Sequence, residues 1–553
     1  MMKKSKLYSW GLGCSLSLLT VCTSCDKFFD VNTLDVGLEE NVYTSAQEVY
    51  AGFIGVAGAF QKAADHYVVA SELLGDLIKP TSNAPVEFWD VYRYRATNGN
   101  ELVSPQPYYN IILNANDFLR HIVSFNKENP GAIPEIIYRG VTSAAITYRT
   151  WAYLTIGKFY GEAVYHDLAI SDDTDLAEKP LLSLDRLLDE LQYFMENGVD
   201  GVDAWNQLDA AGWKEIISPN ADATLTDWVY VTINPDVLMA EIYLWKGDNV
   251  NAAQSALRAI SNGVADDGKE STDRYKLSGS FQGASWKNMF TNSYSSIGNE
   301  AFTAVPFSFK DKQQNNLQYY FSNMAPNVYY LAPTNKLYNM YTIEVGTKEY
   351  TDNNRRSATI TTEGGSRVIR KYHEGKETYE RDHYIYTYRA AEVWLMAAEA
   401  LSNLGELAAA DSIVNNGLKT CQNASSSSFN APFDYPLYTW NMRENRGVRG
   451  RASAHANYIR DYVVDSVYLD ETELQARQKF VLDSLIANEV GCELAGEGKR
   501  WFTLVRMARN NNKPEIVADP VSSGKFSGTE RELYRMWLMD PKNWFIKYDQ
   551  VNE

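Results

Sequence analysis

The sequence predicts a mainly α-helical fold, with about four tetratricopeptide-like helix pairs supporting a loop-rich face and a few short strands. The first observation behind this is an internal match. LMAEIYLWKGDNVNAAQSALRAI (Leu238–Ile260) and LMAAEALSNLGELAAADSIVNNGL (Leu395–Leu418) each place an Ala-Glu pair at the same interval before a Gly. Each then resumes as an Ala-rich amphipathic stretch. Small residues let antiparallel helices approach closely, and a Gly can end the first of them in a left-handed cap. The second observation is a set of long stretches without helical period, crowded with Tyr and Trp. A non-repeating helical bundle is the alternative, and the matched interval favours repeats.

In chain order, Lys3, Lys4 and Lys6 precede an uncharged apolar run, Leu7–Val21. That is the form of a secretory signal, short for a membrane-spanning helix. At its end Cys22 and Cys25 stand three apart. The spacing fits a redox pair, an ordinary signal with an incidental cysteine, or a site of lipid attachment. A redox pair belongs at a helix start in a βαβ context, which is not found here. The small residues Thr23 and Ser24 leading into Cys25 resemble a bacterial lipobox, although Cys22 stands where Leu is usual. That reading makes 1–24 a lipoprotein signal peptide and 25–553 the body, with Cys25 acylated. Several acyl chains anchor stably, at ~0.8 kcal/mol per buried CH₂.

Within the body, helical repeats are expected around 107–165, 183–263 and 388–421. Strand-like fragments, EAFTAVPFSF (Glu300–Phe309) and SRVIRKY (Ser366–Tyr372), interrupt an irregular region spanning 261–380. Two further irregular stretches cover 77–106 and 422–468. Loops of such length more often carry function than not.

Composition narrows the function classes. With 70 acidic against 52 basic side chains the formal net charge is −18. A groove for nucleic acid, or for heavily sulfated or uronic polymers, would need a locally positive field; the overall balance argues against those ligands, although a local basic patch could survive it. Of five cysteines three fall in the first 25 residues, leaving only Cys421 and Cys492 beyond them, too few for a disulfide framework or a zinc ribbon. They could be bridged, and two buried free thiols are the favoured reading. Aromatic content is 13%, including 37 Tyr and 13 Trp. Core packing does not call for so much Tyr, whereas a ligand-gripping surface uses its apolar face and polar tip.

Several motifs in order resemble the SusD-like (SusD/RagB) family of Bacteroidetes outer-membrane lipoproteins. They are CDKFFDVN (Cys25–Asn32), YNIILNAND (Tyr109–Asp117), YRAAEVWLMAAEALSNLGE (Tyr388–Glu406) and LIANEVGCELAGEGKRWFTLVRMAR (Leu485–Arg509), the last being the C-terminal motif at 485–509. Val490 and Thr503 depart from that motif, where the family usually has Arg and Asp. The resemblance implies a lipid-anchored protein of the outer membrane, facing the cell surface, without catalytic activity or cofactor. It also implies a partner, a SusC-like TonB-dependent transporter, to which nutrient oligosaccharides are delivered. Some members take peptides instead.

For a neutral glycan, Trp and Tyr rings serve as platforms, while Asn, Asp, Arg or Tyr meet the hydroxyl edges. Two loops supply that mixture, around 77–106 and 310–333. PVEFWDVYRYRATNGN (Pro85–Asn100) offers Trp89, Tyr92, Tyr94 and Asn98. QQNNLQYYFSNMAPNVYYLAP (Gln313–Pro333) offers Tyr319, Tyr320, Tyr329 and Tyr330. For any one ring, pinning its loop to the scaffold is an equally good role. A third aromatic and Arg-rich stretch, Phe433–Arg451, ranks below them. Metal and catalytic readings are weak: the six histidines show no HxH or HExxH spacing, and DDTD (Asp172–Asp175) lacks the EF-hand pattern. A surface glycoside hydrolase stays open, because 70 acids cannot rule out a catalytic carboxylate pair.

Overall fold

The computed structural model describes residues 43–166, 181–198, 231–261, 277, 285–291, 300–345, 348–373, 375–415, 417, 447–451 and 470–548. Cys25, Asp172–Asp175, Cys421 and most of Phe433–Arg451 lie outside them. The described part is mostly helical, as the sequence predicts, with five separate two-stranded antiparallel pairs.

Local chemistry explains the helix ends. The helix Pro235–Lys246 starts under Asn234, whose side chain accepts from the Val237 N–H at 3.1 Å, and has Pro at its first turn. It stops at Gly247, which takes φ 76° as the left-handed cap requires. The chain then turns directly into the helix Asn249–Ser261. In the matching segment, helix Ala390–Asn403 turns at Gly405, φ 83°, into helix Leu407–Asn415. The helix Gln106–Glu128 packs in the same way on Glu135–Tyr160, which also packs on Leu184–Asn197. That last contact is close: a Cβ on Gly157 would stand 2.8 Å from a Leu187 methyl.

The core runs continuously from helix Ala46–Leu74 to the C-terminal helices, with Trp151, Trp245, Trp394 and Trp501 fully buried. Cys492 is a free, buried thiol. A strand pair, Ala301–Val305 against Ile385–Arg389, runs through the interior with every residue buried. The Ser366–Tyr372 fragment supplies the strand Ser366–Ile369, paired with Ile360–Glu363 across Gly364-Gly365. Both glycines have positive φ, as a tight hairpin turn of this kind demands.

The C-terminal motif is an electrostatic hub. Arg389, fully buried, reaches Glu493 at 2.7 Å, Glu497 at 2.8 Å and Glu300 at 3.1 Å. Lys371 adds a pair to Glu497 at 2.6 Å, and Arg355 adds one to Glu493 at 3.0 Å. Burial alone would raise the Glu497 pKa, yet Arg389 and Lys371 hold it below the usual carboxylate range. Arg500 and Lys336 hold buried Asp76 down against the same penalty. Further along, Arg506 grips Glu399 at 2.6 Å, and Lys158 meets Glu241 at 2.8 Å. A small polar cavity of about 20 Å³ opens between Glu241, Glu392 and Lys499. Removing one member of such a set strands the others' charges in a low-dielectric interior. Arg389→Met is therefore expected to lose roughly 3–5 kcal/mol of stability, read by urea unfolding. A loss under 1 kcal/mol would deny the hub its role.

Glu72 lacks such a cation at contact distance among the described residues. It is 2% exposed and accepts the Gly498 N–H at 2.7 Å. Burial pushes its pKa up to about 7 from 4.5. The folded state thus keeps a proton that the unfolded chain releases, and stability falls as pH rises from about 4.5 to about 7. The span corresponds to about 3 kcal/mol. Glu72→Gln should gain on the wild type by up to that amount across the window, measured by thermal melts at each pH. A gap independent of pH would refute the assignment.

Candidate functional site

Two chain segments distant in sequence are brought edge to edge by one strand pair. Ile78–Pro80 pairs antiparallel with Leu331–Pro333. The Thr81 N–H extends the ladder to the Tyr330 carbonyl at 2.9 Å, and its hydroxyl donates to the Tyr329 carbonyl. The regions expected as loops at 77–106 and 310–333 therefore face one another, and each contains a short helix. Pro85 opens the helix Val86–Tyr92, in which Phe88, Val91 and Tyr92 form a buried stripe at helical spacing. Asn316 precedes the helix Leu317–Phe321, with Leu317 and Phe321 buried.

The rings assemble into an arc. Tyr320 and Tyr330 stack on each other at 5.5 Å and 17°. Phe88 meets both edge-on, at 5.3 and 5.2 Å, and so locks the two segments together. Tyr319 lies 5.9 Å from Tyr320, and the Arg381 guanidinium sits 5.0 Å over the Tyr319 ring. At the far end Phe309 and Tyr379, 41% and 52% exposed, meet edge-on at 5.5 Å. Beside Phe88 at the near end stands half-buried Trp89, with the Arg93 guanidinium 5.4 Å from its ring. Burial pushes the Tyr320 hydroxyl up to about 12, and the neighbouring Asp65 charge adds to the shift.

Glutamines fix the far end. Gln318, 1% exposed, donates to the Glu377 carbonyl and accepts the Arg381 N–H, both at 2.8 Å. Gln314 donates to the Tyr379 and Glu380 carbonyls at 2.9 and 2.8 Å. One turn of helix spacing thus clamps 377–381 beside the ring stack.

Of the sequence-predicted residues, Tyr319, Tyr320 and Tyr330 gather in this arc; Trp89 follows Phe88 in the chain, and its ring meets Tyr92 edge-on at 5.9 Å. Tyr329 borders it, at φ 51°, with its hydroxyl donating to the Arg367 carbonyl at 2.8 Å. The other three turn away. Tyr92 is 5% exposed, donates to the Lys525 carbonyl and packs on Phe526. Tyr94 donates to the Leu74 carbonyl at 2.7 Å and packs on Trp501 and Trp537. The Lys525 ammonium sits over both rings. Asn98 joins its backbone N–H to the Lys547 carbonyl. Tyr92 and Tyr94 act as packing between the early loop and the C-terminal helices, and the Asn98 backbone joins that loop to the C-terminal segment. Phe88, Phe309, Tyr379 and Arg381 were not singled out from sequence. Phe309 and Tyr379 lie 70 residues apart, and no local pattern connects them.

Among the described residues no group of three or more His, Cys, Asp or Glu side chains is arranged to hold a metal ion. Among them also, no helix is long and apolar enough to cross a membrane.

A family model described as the SusD family matches residues 206–544, more than half of the chain. No curated protein matches. Solved structures share the fold at low identity. A SusD superfamily protein from Bacteroides thetaiotaomicron aligns with TM-score 0.59 and 14% identity, covering 93% of this chain and 100% of that one. A laminarin-binding SusD-like protein aligns with TM-score 0.54 and 14% identity, covering 92% and 100%. Surface glycan-binding protein A from Bacteroides thetaiotaomicron, in complex with laminarihexaose, aligns with TM-score 0.54 and 14% identity, covering 88% and 96%.

Proposed function

The chain belongs to the SusD family, and from that we propose that it is a non-catalytic, glycan-binding lipoprotein of the cell surface. Its arc of rings takes up nutrient oligosaccharide for delivery to a SusC-like TonB-dependent transporter in the outer membrane. The observation that carries this reading is the half-buried arc of rings from Tyr330 through Tyr320 and Tyr319 to Tyr379. A pyranose presents an apolar face to such rings and hydroxyls to the flanking amides and guanidinium. Water already satisfies each sugar hydroxyl, so affinity is expected to be modest.

The test is retardation in native gels containing polysaccharide, with laminarin first because two structurally similar proteins carry it or its hexaose in their names. Tyr320→Ala and Trp89→Ala should each weaken the interaction about tenfold, the effect of one ~1.4 kcal/mol contact. Tyr94→Ala should destabilise the fold without selectively changing affinity. No retardation by any glycan would overturn the reading in favour of a peptide ligand, and reducing-sugar release by the purified protein would favour a hydrolase.

The anchor is part of the same proposal. Cys25 directly follows the signal segment as the first mature residue and carries diacylglycerol, so labelled palmitate should enter the wild-type protein and not Cys25→Ala. Equal labelling of the two would refute it.

A further inference from the structure

We propose that the glycan taken by this face carries carboxylates, as a uronic acid does, and that Arg381 receives one beside the ring stack. This rests on the glycan-binding reading and adds the ligand's charge class to it. Arg381 stands mid-arc, with its guanidinium 5.0 Å over Tyr319, the ring next to Tyr320. Among the described residues no carboxylate pairs with it. Its one side-chain hydrogen bond is a long one, 3.4 Å to the neutral Gln314 amide. The nearby acids are engaged elsewhere. Asp382 holds Lys376 at 2.7 Å and the Phe309 N–H at 3.1 Å, Glu380 accepts the Glu377 N–H, and Asp65 accepts the Asn316 N–H. The contrast with the interior is sharp, because Arg149, Arg355, Arg389, Arg500 and Arg506 each have an anionic or carbonyl partner within 3.2 Å.

The guanidinium is also held in place from below. Arg381 has φ 47°, an uncommon backbone for a residue with a side chain. Its N–H is given to Gln318 and its carbonyl receives the Asn315 N–H at 2.9 Å. A planar fork on a fixed backbone beside a ring suits two-point pairing to a carboxylate in a way that a lysine ammonium does not. No positive field surrounds Arg381, so the pairing is one guanidinium with one carboxylate and not a basic groove along a polyanion. Segments 308–314 and 376–382 contain Lys310, Lys312, Lys376 and Arg381 against Asp311, Glu377, Glu380 and Asp382, a neutral balance in a chain of net charge −18. A spaced single carboxylate is accommodated there. A densely sulfated polymer would be repelled by the rest of the surface.

The experiment compares matched pairs by calorimetry on the purified full chain: oligogalacturonide and its methyl ester, alginate oligomer and its carbodiimide-reduced form, with dextran sulfate, which has sulfates and no carboxylates, and laminarin alongside. The acidic member of a pair should bind about tenfold or more tighter than its neutral partner, with the gap narrowing as salt rises. Arg381→Gln should bring the two members together by weakening the acidic one far more than the neutral one. Arg381→Lys should restore part of the gap. Tyr320→Ala should weaken both members alike. Equal affinity within pairs, binding of laminarin alone, a gap that survives Arg381→Gln, or preference for the sulfated glycan would each overturn the proposal. Laminarin binding lost in Tyr320→Ala, without an acidic preference, would leave the ring-stack reading standing and remove this one. Binding of no glycan at all would remove both.

Discussion

The structure depends on one buried cluster of charge, in which Arg389 is shared by Glu300, Glu493 and Glu497. Arg389 ends the interior strand Ile385–Arg389 and immediately precedes the helix Ala390–Asn403. Glu300 leads into the partner strand, Glu493 closes the long helix Glu471–Glu493, and Glu497 lies in the turn after it. Three parts of the chain are therefore joined at one guanidinium. A hydrophobic contact could join them as strongly, and buried ion pairs are weak evidence for stability in themselves. What a fully paired cluster supplies is register, since each carboxylate is tolerated only where its cation stands. The same logic repeats along the motif, at Arg500 with Asp76 and at Arg506 with Glu399.

That register reaches the surface through the strand pair. Arg389 lies opposite Ala301 at the inner end, and Ile385 lies opposite Val305 at the outer end. Beyond Val305 the chain continues into Phe309 and the Tyr319–Tyr320 helix, and just before Ile385 it supplies Tyr379 and Arg381. Both halves of the far arc are thus extensions of strands whose other ends are clamped at the hub. The near arc has its own fixing, through Ile78–Pro80 against Leu331–Pro333 and through Phe88 wedged on Tyr320 and Tyr330. A binding face made of irregular chain is rigid here because its anchors are regular.

This division explains what could be read from sequence. The helix pairs were legible because their signals are local: the Ala-Glu interval, Gly247 and Gly405 in left-handed turns, and small residues at close approaches. The aromatic wealth of 85–100 and 313–333 was legible as composition. The direction of each ring was not, since it is set by contacts far away in sequence. Tyr92 and Tyr94 differ from Tyr320 only in having Lys525, Phe526 and Trp537 waiting for them. Arg381 carried no local signal at all, because its significance is the missing counter-ion, which only the assembled surroundings reveal.

The face also stores conformational strain where rings and cation must be held. Of the five non-glycine residues with positive φ among the described residues, Lys312, Tyr329 and Arg381 belong to it or border it, and Tyr94 fastens its loop below. Such conformations cost about 1–3 kcal/mol each and persist only where neighbours over-determine them. The neighbours are identifiable: Gln318 and Asn315 for Arg381, and Thr81 with the Arg367 carbonyl for Tyr329. For a ligand whose hydroxyls gain little on leaving water, ordering loops at the moment of binding would consume most of the gain. A platform ordered in advance avoids that loss, and the strain is then sustained by the folding energy of the scaffold rather than by the ligand.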